Sequence, residues 1–466
     1  MHTTARRLLG VAIAFLALTA AACGGDDGDT ASGGTDGDAP EGALLVPQDH
    51  ETIQAAVDAA EEGDLILIDE GTYTEAVDVT TPDITLRGVD RNTVILDGGF
   101  ELENGVRVLD TDGVVVENMT ARNYTSNGFF WTGSDRYRGS YLTAYRNGDY
   151  GIYAFDAYHG QLDHSLGSGS PDAGFYIGEC YECDAVIDTV VSEHNGLGYS
   201  GTNSGGDLYI VNSTFRDNRA GIVPNSGAYE LCYPGRRNTI VGNVVHSNNN
   251  DEAPAIDVAL LAQGNGILIA GSVENTVERN LVYDHDRTGI AAVPFPEEDA
   301  NDVPPGPEEW DTPCEEVRDD PIPEEDADPG TVLWHPYGNT IRDNVVEDSG
   351  LADLVTATLE EGDVTLEGLG NCYSGNTFST TAPEDLETIA PCDGEGGGDF
   401  SKGAFDLVPL IADQAPAPPE DAWQTTPEPE DQESMPDART APAERFEGPG
   451  PVDVDAIEVP EKPEGG

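Results

Sequence analysis

Asn127-Gly128-Phe129, Tyr150-Gly151-Ile152, Ala173-Gly174-Phe175 and Leu197-Gly198-Tyr199 are four copies of one small pattern, which Asn104-Gly105-Val106 and Ala220-Gly221-Ile222 extend in both directions. From Gly105 to Gly221 the glycines stand 23, 23, 23, 24 and 23 residues apart, and the series resumes at Gly266 and Gly289. A second column passes through Asn118, Tyr141, His164, Thr189, Ser213, Asn243, Asn280 and Asn344, each followed by a short strand-like segment such as Val244-Val245. This period is too short for a propeller blade and lacks the leucine consensus of horseshoe repeats. It predicts stacked coils whose short strands pair with the coil above and the coil below, a parallel β-helix. The residues just after the glycines, Phe129, Ile152, Phe175, Tyr199, Ile222, Ile267 and Ile290, form the expected core column.

Upstream, Thr52 to Ala60 reads as a short amphipathic helix, followed by the strand-like Leu65-Ile66-Leu67-Ile68. A helix laid over the first coil would protect its open edge. With this cap and the repeats, residues 45–392 resemble the right-handed parallel β-helix repeat proteins of the pectin-lyase-like superfamily. The stretches IQAAVDAAEEGD, YGIYAFDAYHG and DAGFYIGECYECDAV resemble in particular an actinobacterial branch of exported β-helix proteins. The resemblance implies an all-β, single-stranded right-handed solenoid with an N-terminal capping helix. It also implies a role among polysaccharide lyases, C5-epimerases, glycoside hydrolases and non-catalytic accessory scaffolds. Asp156-Ala157-Tyr158-His159 is similar to the Asp-Pro-His motif of mannuronan epimerases, but has no proline and one extra residue. The Asn-Thr-Asp and Gly-His-Gly motifs of polygalacturonases do not occur.

The chain of 466 residues carries 89 Asp and Glu against 21 Lys and Arg, a formal net charge of -68. Such a surface repels phosphate backbones, which argues against a nucleic-acid partner. Lysine occurs only at Lys402 and Lys462, so no lysine-based active site lies in the repeats. Two excursions interrupt the period, at residues 249–263 and at the Pro- and acid-rich 292–337. Beyond residue 392 the repeat ends. Residues 393–466 hold 12 prolines and 19 acidic residues against four basic ones, a composition that predicts a disordered tail.

At the other end, Arg6-Arg7, the apolar run Leu8 to Leu18 and the small residues before Cys23 read as an export signal over residues 1–22. Cys23, opening a polar tether over residues 23–44, is the expected lipidation site. The protein is therefore expected to be exported, a monomer, and held at the cell membrane by a lipid on its outer side. Six further cysteines, Cys180, Cys183, Cys232, Cys314, Cys372 and Cys392, are an even number in an exported chain, and disulfides are expected. Of fifteen pairings, Cys232 with Cys314 and Cys372 with Cys392 are preferred, because they would join two long loops and close the end of the solenoid. Cys180 and Cys183 would be only half a zinc site, since no second such pair exists.

Two residues after the glycines stand Phe130, Tyr153 and Tyr176, which strand alternation turns outward on successive coils about 4.8 Å apart. Sugar rings stack on such a stripe, and polysaccharide is the expected partner. Five residues after the glycines come Asp156 and Glu179, beside His159. Two carboxylates on adjacent coils suit either a retaining glycosidase or a shared Ca²⁺, and His159 is a candidate general base. Arg136 and Arg138, in an island with Arg122 and Arg146, would neutralise an acidic sugar. The bland alternatives are an aromatic ladder under a loop, surface carboxylates and ordinary ion pairs. His164, His194, His246 and His285 follow the corner column and read as structural.

Overall fold

A computed structural model describes residues 39–319, 330–359, 364–412 and 414–463. Cys23, the export signal and most of the tether lie outside the described residues. Among those described, nearly every strand belongs to one of three long parallel sheets. Each coil contributes one strand to sheet 1 (12 strands, from Leu44–Val46 to Cys372–Ser374), then one to sheet 2 (10 strands, from Gly71–Tyr73 to Val345–Ser349), then one to sheet 3 (11 strands, from Val77–Val79 to Thr381–Ala382). One coil, for example, runs Arg138–Ser140, Thr143–Tyr145 and Tyr150–Tyr158 before returning to sheet 1 at Gln161–Asp163.

The register follows the glycine repeat. Phe129 pairs with Ile152, Ile152 with Phe175, Phe175 with Tyr199 and Tyr199 with Ile222. This column is buried throughout, as are Ile267 and Ile290. The glycines have a steric reason: a Cβ at Gly128 would meet the Gly151 carbonyl oxygen at 2.7 Å, and one at Gly151 the Gly174 oxygen at 2.6 Å.

The corners hold a correction. The second sequence column is two neighbouring columns joined by a one-residue slip. Asn118, Tyr141, His164, Thr189 and then Asn212 occupy a left-handed turn with φ between 49° and 59°. Ser213, Asn243, Asn280 and Asn344 belong to the next position, where they form a buried ladder. Ser213 N donates to Asn243 Oδ1 (3.1 Å), Asn243 N to Asn280 Oδ1 (3.0 Å), Asn280 N to Asn344 Oδ1 (2.9 Å) and Asn344 N to Asn376 Oδ1 (3.0 Å). The other two corners carry similar ladders, Asn195–Asn218–Asn248 and Asn238–Asn275–Asn339–Asn371. The amide satisfies backbone donors that the turn removes from the strand ladder.

Ile53–Ala59 is helical, with Thr52 Oγ1 accepting from Ala55 N, and the Glu75 carboxylate accepting from Ile53 N and Gln54 N. Its buried residues Ile53, Ala56 and Val57 join the core of the first coils. Cys180–Cys183, Cys232–Cys314 and Cys372–Cys392 are disulfides, so both preferred pairings are present. The first excursion contains the helix Asp257–Ala262; the second opens and closes with the antiparallel pair Phe295–Glu297 and Val332–Trp334.

The tail departs from the expectation of disorder. It has little regular structure, yet it straps the outside of the coils. Arg91 Nη1 donates to Glu433 O (3.1 Å), Asn92 and Gln432 exchange two bonds (2.9 Å each), and Met435 N donates to Asn118 Oδ1 (2.7 Å). Farther along, Arg279 Nη2 donates to Val454 O (2.7 Å), and Val452, Val454 and Ile457 pack on Val186, Val211 and Val241. The physical reason is that a proline-rich strand needs no partner strand when a finished surface already offers arginine and asparagine donors to its carbonyls. Composition reports on what a segment can bury alone, not on what it can dock against. A chain ending at residue 420 should melt about 5 °C lower, since the three valines and these donors return to water. An unchanged melting curve would show that the strap is not docked.

Candidate functional site

Sheet 3 presents Phe130, Tyr153, Tyr176, Ser200 and Val223 outward in register on consecutive coils. The Phe130 and Tyr153 rings stack with centroids 4.7 Å apart and are half-buried. Tyr176 follows at 4.8 Å from Tyr153, but it is fully buried. Its cover is residues 224–235, where the Tyr176 hydroxyl donates to the Glu230 carboxylate. The expected stripe of three open rings is therefore two rings leading under a loop.

That loop is held from several sides. Asn203 Nδ2 donates to Gly227 O (2.6 Å) and Glu230 O (2.7 Å), Ala228 N donates to Glu297 Oε2 (2.8 Å), and Cys232 is bonded to Cys314. Tyr150 completes a triangle of rings, 4.2 Å from Tyr153 and 5.0 Å from Tyr176. Its hydroxyl donates to Asp172 Oδ2 at 2.5 Å. Tyr229, 48% exposed, closes the far side, its hydroxyl within 2.7 Å of Asn225 Nδ2.

The acids in this cleft are held toward their neutral forms. Burial pushes Asp149 up to about 6. Burial also lifts Asp172 to about 7, with the Tyr150 bond opposing and Asp149 adding to it. Glu230 rises to about 8 through burial, against the Tyr176 bond and with help from Glu179 and Asp172. A carboxyl whose pKa is raised by folding leaves the folded state holding the extra proton, so stability falls as pH rises from the unfolded to the folded value. Asp172 and Glu230 thus take stability away between about pH 4 and about pH 8. Glu230→Gln is expected to raise the melting temperature at pH 9 and leave it unchanged at pH 4. A lower melting temperature at both would overturn this sign.

Of the expected catalytic residues, Glu179 acts on this cleft. It is 8% exposed, and its charge acts on both Tyr153 and Glu230. Asp156 occupies the equivalent left-handed corner one coil earlier, following the Phe155–Gly178 pairing. His159 belongs to a different corner, where Nδ1 bonds Asp135 and Nε2 lies 3.6 Å from Asp184. Asp156 and Glu179 thus hold equivalent places on adjacent coils, and His159 stands at a further left-handed position just beyond the end of the same strand. Among the described residues, no group of three or more His, Cys, Asp or Glu side chains is arranged to hold a metal ion.

The arginine island is also dispersed. Arg138, on sheet 1, grips Asp163 through two bonds (2.9 and 3.2 Å), and Arg136 pairs with Asp83 (3.3 Å). Arg122 pairs with Asp97 (2.9 Å), and Arg146 donates to Thr426 O (2.6 Å). Arg136 and Arg138 are thus both engaged by acidic side chains of the solenoid itself. The corner histidines are structural: His164 stacks on Tyr141 (4.6 Å) and bonds Asp163, and buried His285 meets Asn248.

Asp149, Tyr150, Asp172, Tyr229 and Glu230 were not singled out from the sequence. Asp149 and Asp172 had a signal, since both stand two residues before a repeat glycine. Tyr229 and Glu230 had none, lying in a loop outside the period.

Residues 127–294 match the family model described as the right handed beta helix region. No curated protein matches the chain. Solved structures that are similar include the A-module of a mannuronan C-5 epimerase from Azotobacter vinelandii (13% identity, 76% of this chain and 96% of that one, TM-score 0.48). An alginate lyase from a Paenibacillus species (13%, 70% and 95%, TM-score 0.34) and a pectate lyase (12%, 73% and 77%, TM-score 0.39) are similar as well. With three parallel sheets in register and that match over its central coils, the chain folds as a right-handed parallel β-helix.

Proposed function

We propose that the protein binds polysaccharide along the outer face of sheet 3, with the sugar chain lying across the outward edges of the stacked Phe130 and Tyr153 rings. The observation that carries this is the stacked, half-buried pair on adjacent coils, a platform aligned with the solenoid axis and leading into a walled cleft. The three disulfides suit an oxidising compartment, and with the Cys23 reading they support an exported protein tethered by a lipid. Tyr153→Ala should weaken binding of a long glycan by about 1 kcal/mol, roughly fivefold, measured by affinity electrophoresis. Equal mobility of the variant and the parent in every glycan gel would remove the platform. Tyr176 is unsuited to that test, since its replacement opens a cavity beneath Glu230.

A second reading, catalysis, is favoured by one feature. Asp172 and Glu230 each accept a tyrosine hydroxyl and hold a proton near neutral pH, as a general acid must. Turnover of a glycan panel that Glu230→Gln abolishes would select a lyase, epimerase or hydrolase over a binding scaffold.

A further inference from the structure

The Asn195–Asn218–Asn248 ladder, at the corner between sheets 2 and 3, changes chemistry at its next rung. Asn195 N donates to Asn218 Oδ1 (2.9 Å) and Asn218 N to Asn248 Oδ1 (3.2 Å). The following coil places His285 there, with Nε2 3.2 Å from Asn248 Nδ2, and the coil after it places Ser349, the register partner of His285. The Asn248 amide cannot be turned round, because its Oδ1 also accepts from Asn218 Nδ2 (3.0 Å) and its Nδ2 donates to Phe215 O (3.0 Å). His285 Nε2 is therefore the acceptor, and the ring is neutral with its hydrogen on Nδ1. Among the described residues neither Nδ1 nor Ser349 Oγ has a hydrogen-bond partner. The side chain is 2% exposed, and a Cβ at Gly266 would meet its Cε1 at 2.9 Å.

Its surroundings offer little to a positive charge. The flanking strands Asn265–Ala270 and Thr288–Val293 carry no titratable side chain. Val244–His246 contributes His246, stacked on Tyr283, and Val345–Ser349 contributes Glu347 and Asp348, both exposed. Asp284 and Asp286 flank the histidine in the chain and face water, and Arg287 donates to Leu261 O (3.0 Å). Asp353 is taken up by Ser349 N (3.2 Å), Ser379 N (2.8 Å) and Thr380 N (3.0 Å). Burial holds the imidazole down to about 3, with Asp284 opposing and His246 adding to the effect.

We propose that His285 is an acid-sensitive rung, through which a fall in pH opens the coil of residues 276–293 against its two neighbours. A proton on Nε2 would face the Asn248 amide hydrogens and leave a charge in the interior with no carboxylate bonded to it. The proton is therefore taken only by an opened coil, in which water solvates the imidazolium. An unfolded histidine accepts it at about pH 6.5 and the folded one only at about pH 3, so stability falls as pH drops through that window. The sign is opposite to that of Asp172 and Glu230, which lose stability as pH rises.

The test compares the full chain with His285→Asn, which restores the rung of the three preceding coils, by denaturant titration at pH 7 and pH 5. Hydrogen exchange reports residues 265–293 in parallel. The carboxyls and the other histidines are common to both proteins, so their contributions cancel in the comparison. Between pH 7 and pH 5 the unfolding equilibrium constant of the parent is expected to rise about twentyfold relative to the variant. Exchange protection over residues 265–293 should fall in the parent alone. Parallel pH curves, or a loss of protection confined to other coils, overturn the proposal. Should His285→Asn fail to fold, the imidazole carbon resonance of His285 in the parent decides. A resonance unmoved in the folded chain between pH 8 and pH 5, while exposed histidines titrate, supports the rung; a midpoint near pH 6.5 in the folded chain overturns it.

Discussion

Replacing Asn280 by alanine is expected to destabilise the protein more than any surface change, by about 3–5 kcal/mol, because several buried polar groups lose their partners together. Asn280 Oδ1 accepts from both Asn243 N and Asn243 Nδ2 at 3.0 Å, while its Nδ2 donates to Ile240 O (2.9 Å) and Asn344 Oδ1 (3.0 Å). Alanine leaves the Asn243 backbone N–H without an acceptor and its Nδ2 with Ile210 O and Val241 O alone, where both side chains are fully buried. Because the ladder links successive coils, the damage reaches three of them. Aspartate is no substitute, since it keeps the acceptor but places an unpaired charge inside. Denaturant titration of Asn280→Ala gives the number, and a loss below about 1 kcal/mol would mean that water takes over the amide's role.

Phe175→Ala is the second large effect, about 3–5 kcal/mol, from the lost burial and the cavity between neighbouring coils. Phe175 is fully buried and paired with Ile152 on one side and Tyr199 on the other. The informative comparison is with Tyr153→Ala, which sits one register away on the opposite face and is expected to cost far less. If both changes cost the same, the distinction between the inner column and the outward column fails. Melting measured by fluorescence and by circular dichroism together would also reveal a partly unfolded stack, to which a repeat protein is prone.

The contrast between those two residues shows where sequence reading worked and where it stopped. Period and alternation place Phe175 inside and Tyr176 outside, because both depend only on neighbouring coils about 23 residues away. Nothing in that pattern foretells Glu230, which arrives from a loop two coils later and turns an outward tyrosine into a buried one. The arginine island was legible as charge but not as pairing. Arg138 meets Asp163 one coil on, and Arg122 meets Asp97 one coil back, distances that an aligned repeat contains but that composition conceals. The asparagine column was recognised with a slip of one residue, because the left-handed turn holds Asn, Tyr, His and Thr alike, while the position after it runs through Met119, Leu142, Ser165, Val190 and Ser213 before Asn243, Asn280 and Asn344 take it over with their buried amides. Local rules sufficed for the coil; the cleft and the strap are long-range constructions.

The strap also changes what kind of object the stack is. A solenoid is ordinarily a linear array whose ends can fray independently, each coil answering only to its neighbours. Here residues near the C-terminus hold Arg91 and Asn118 in early coils and Arg279 in a late one. A fray at either end must therefore peel the same thread, and the array acquires the cooperativity of a closed circuit. Because that thread is made after the coils it holds, the earliest coils wait for it before they are fully locked.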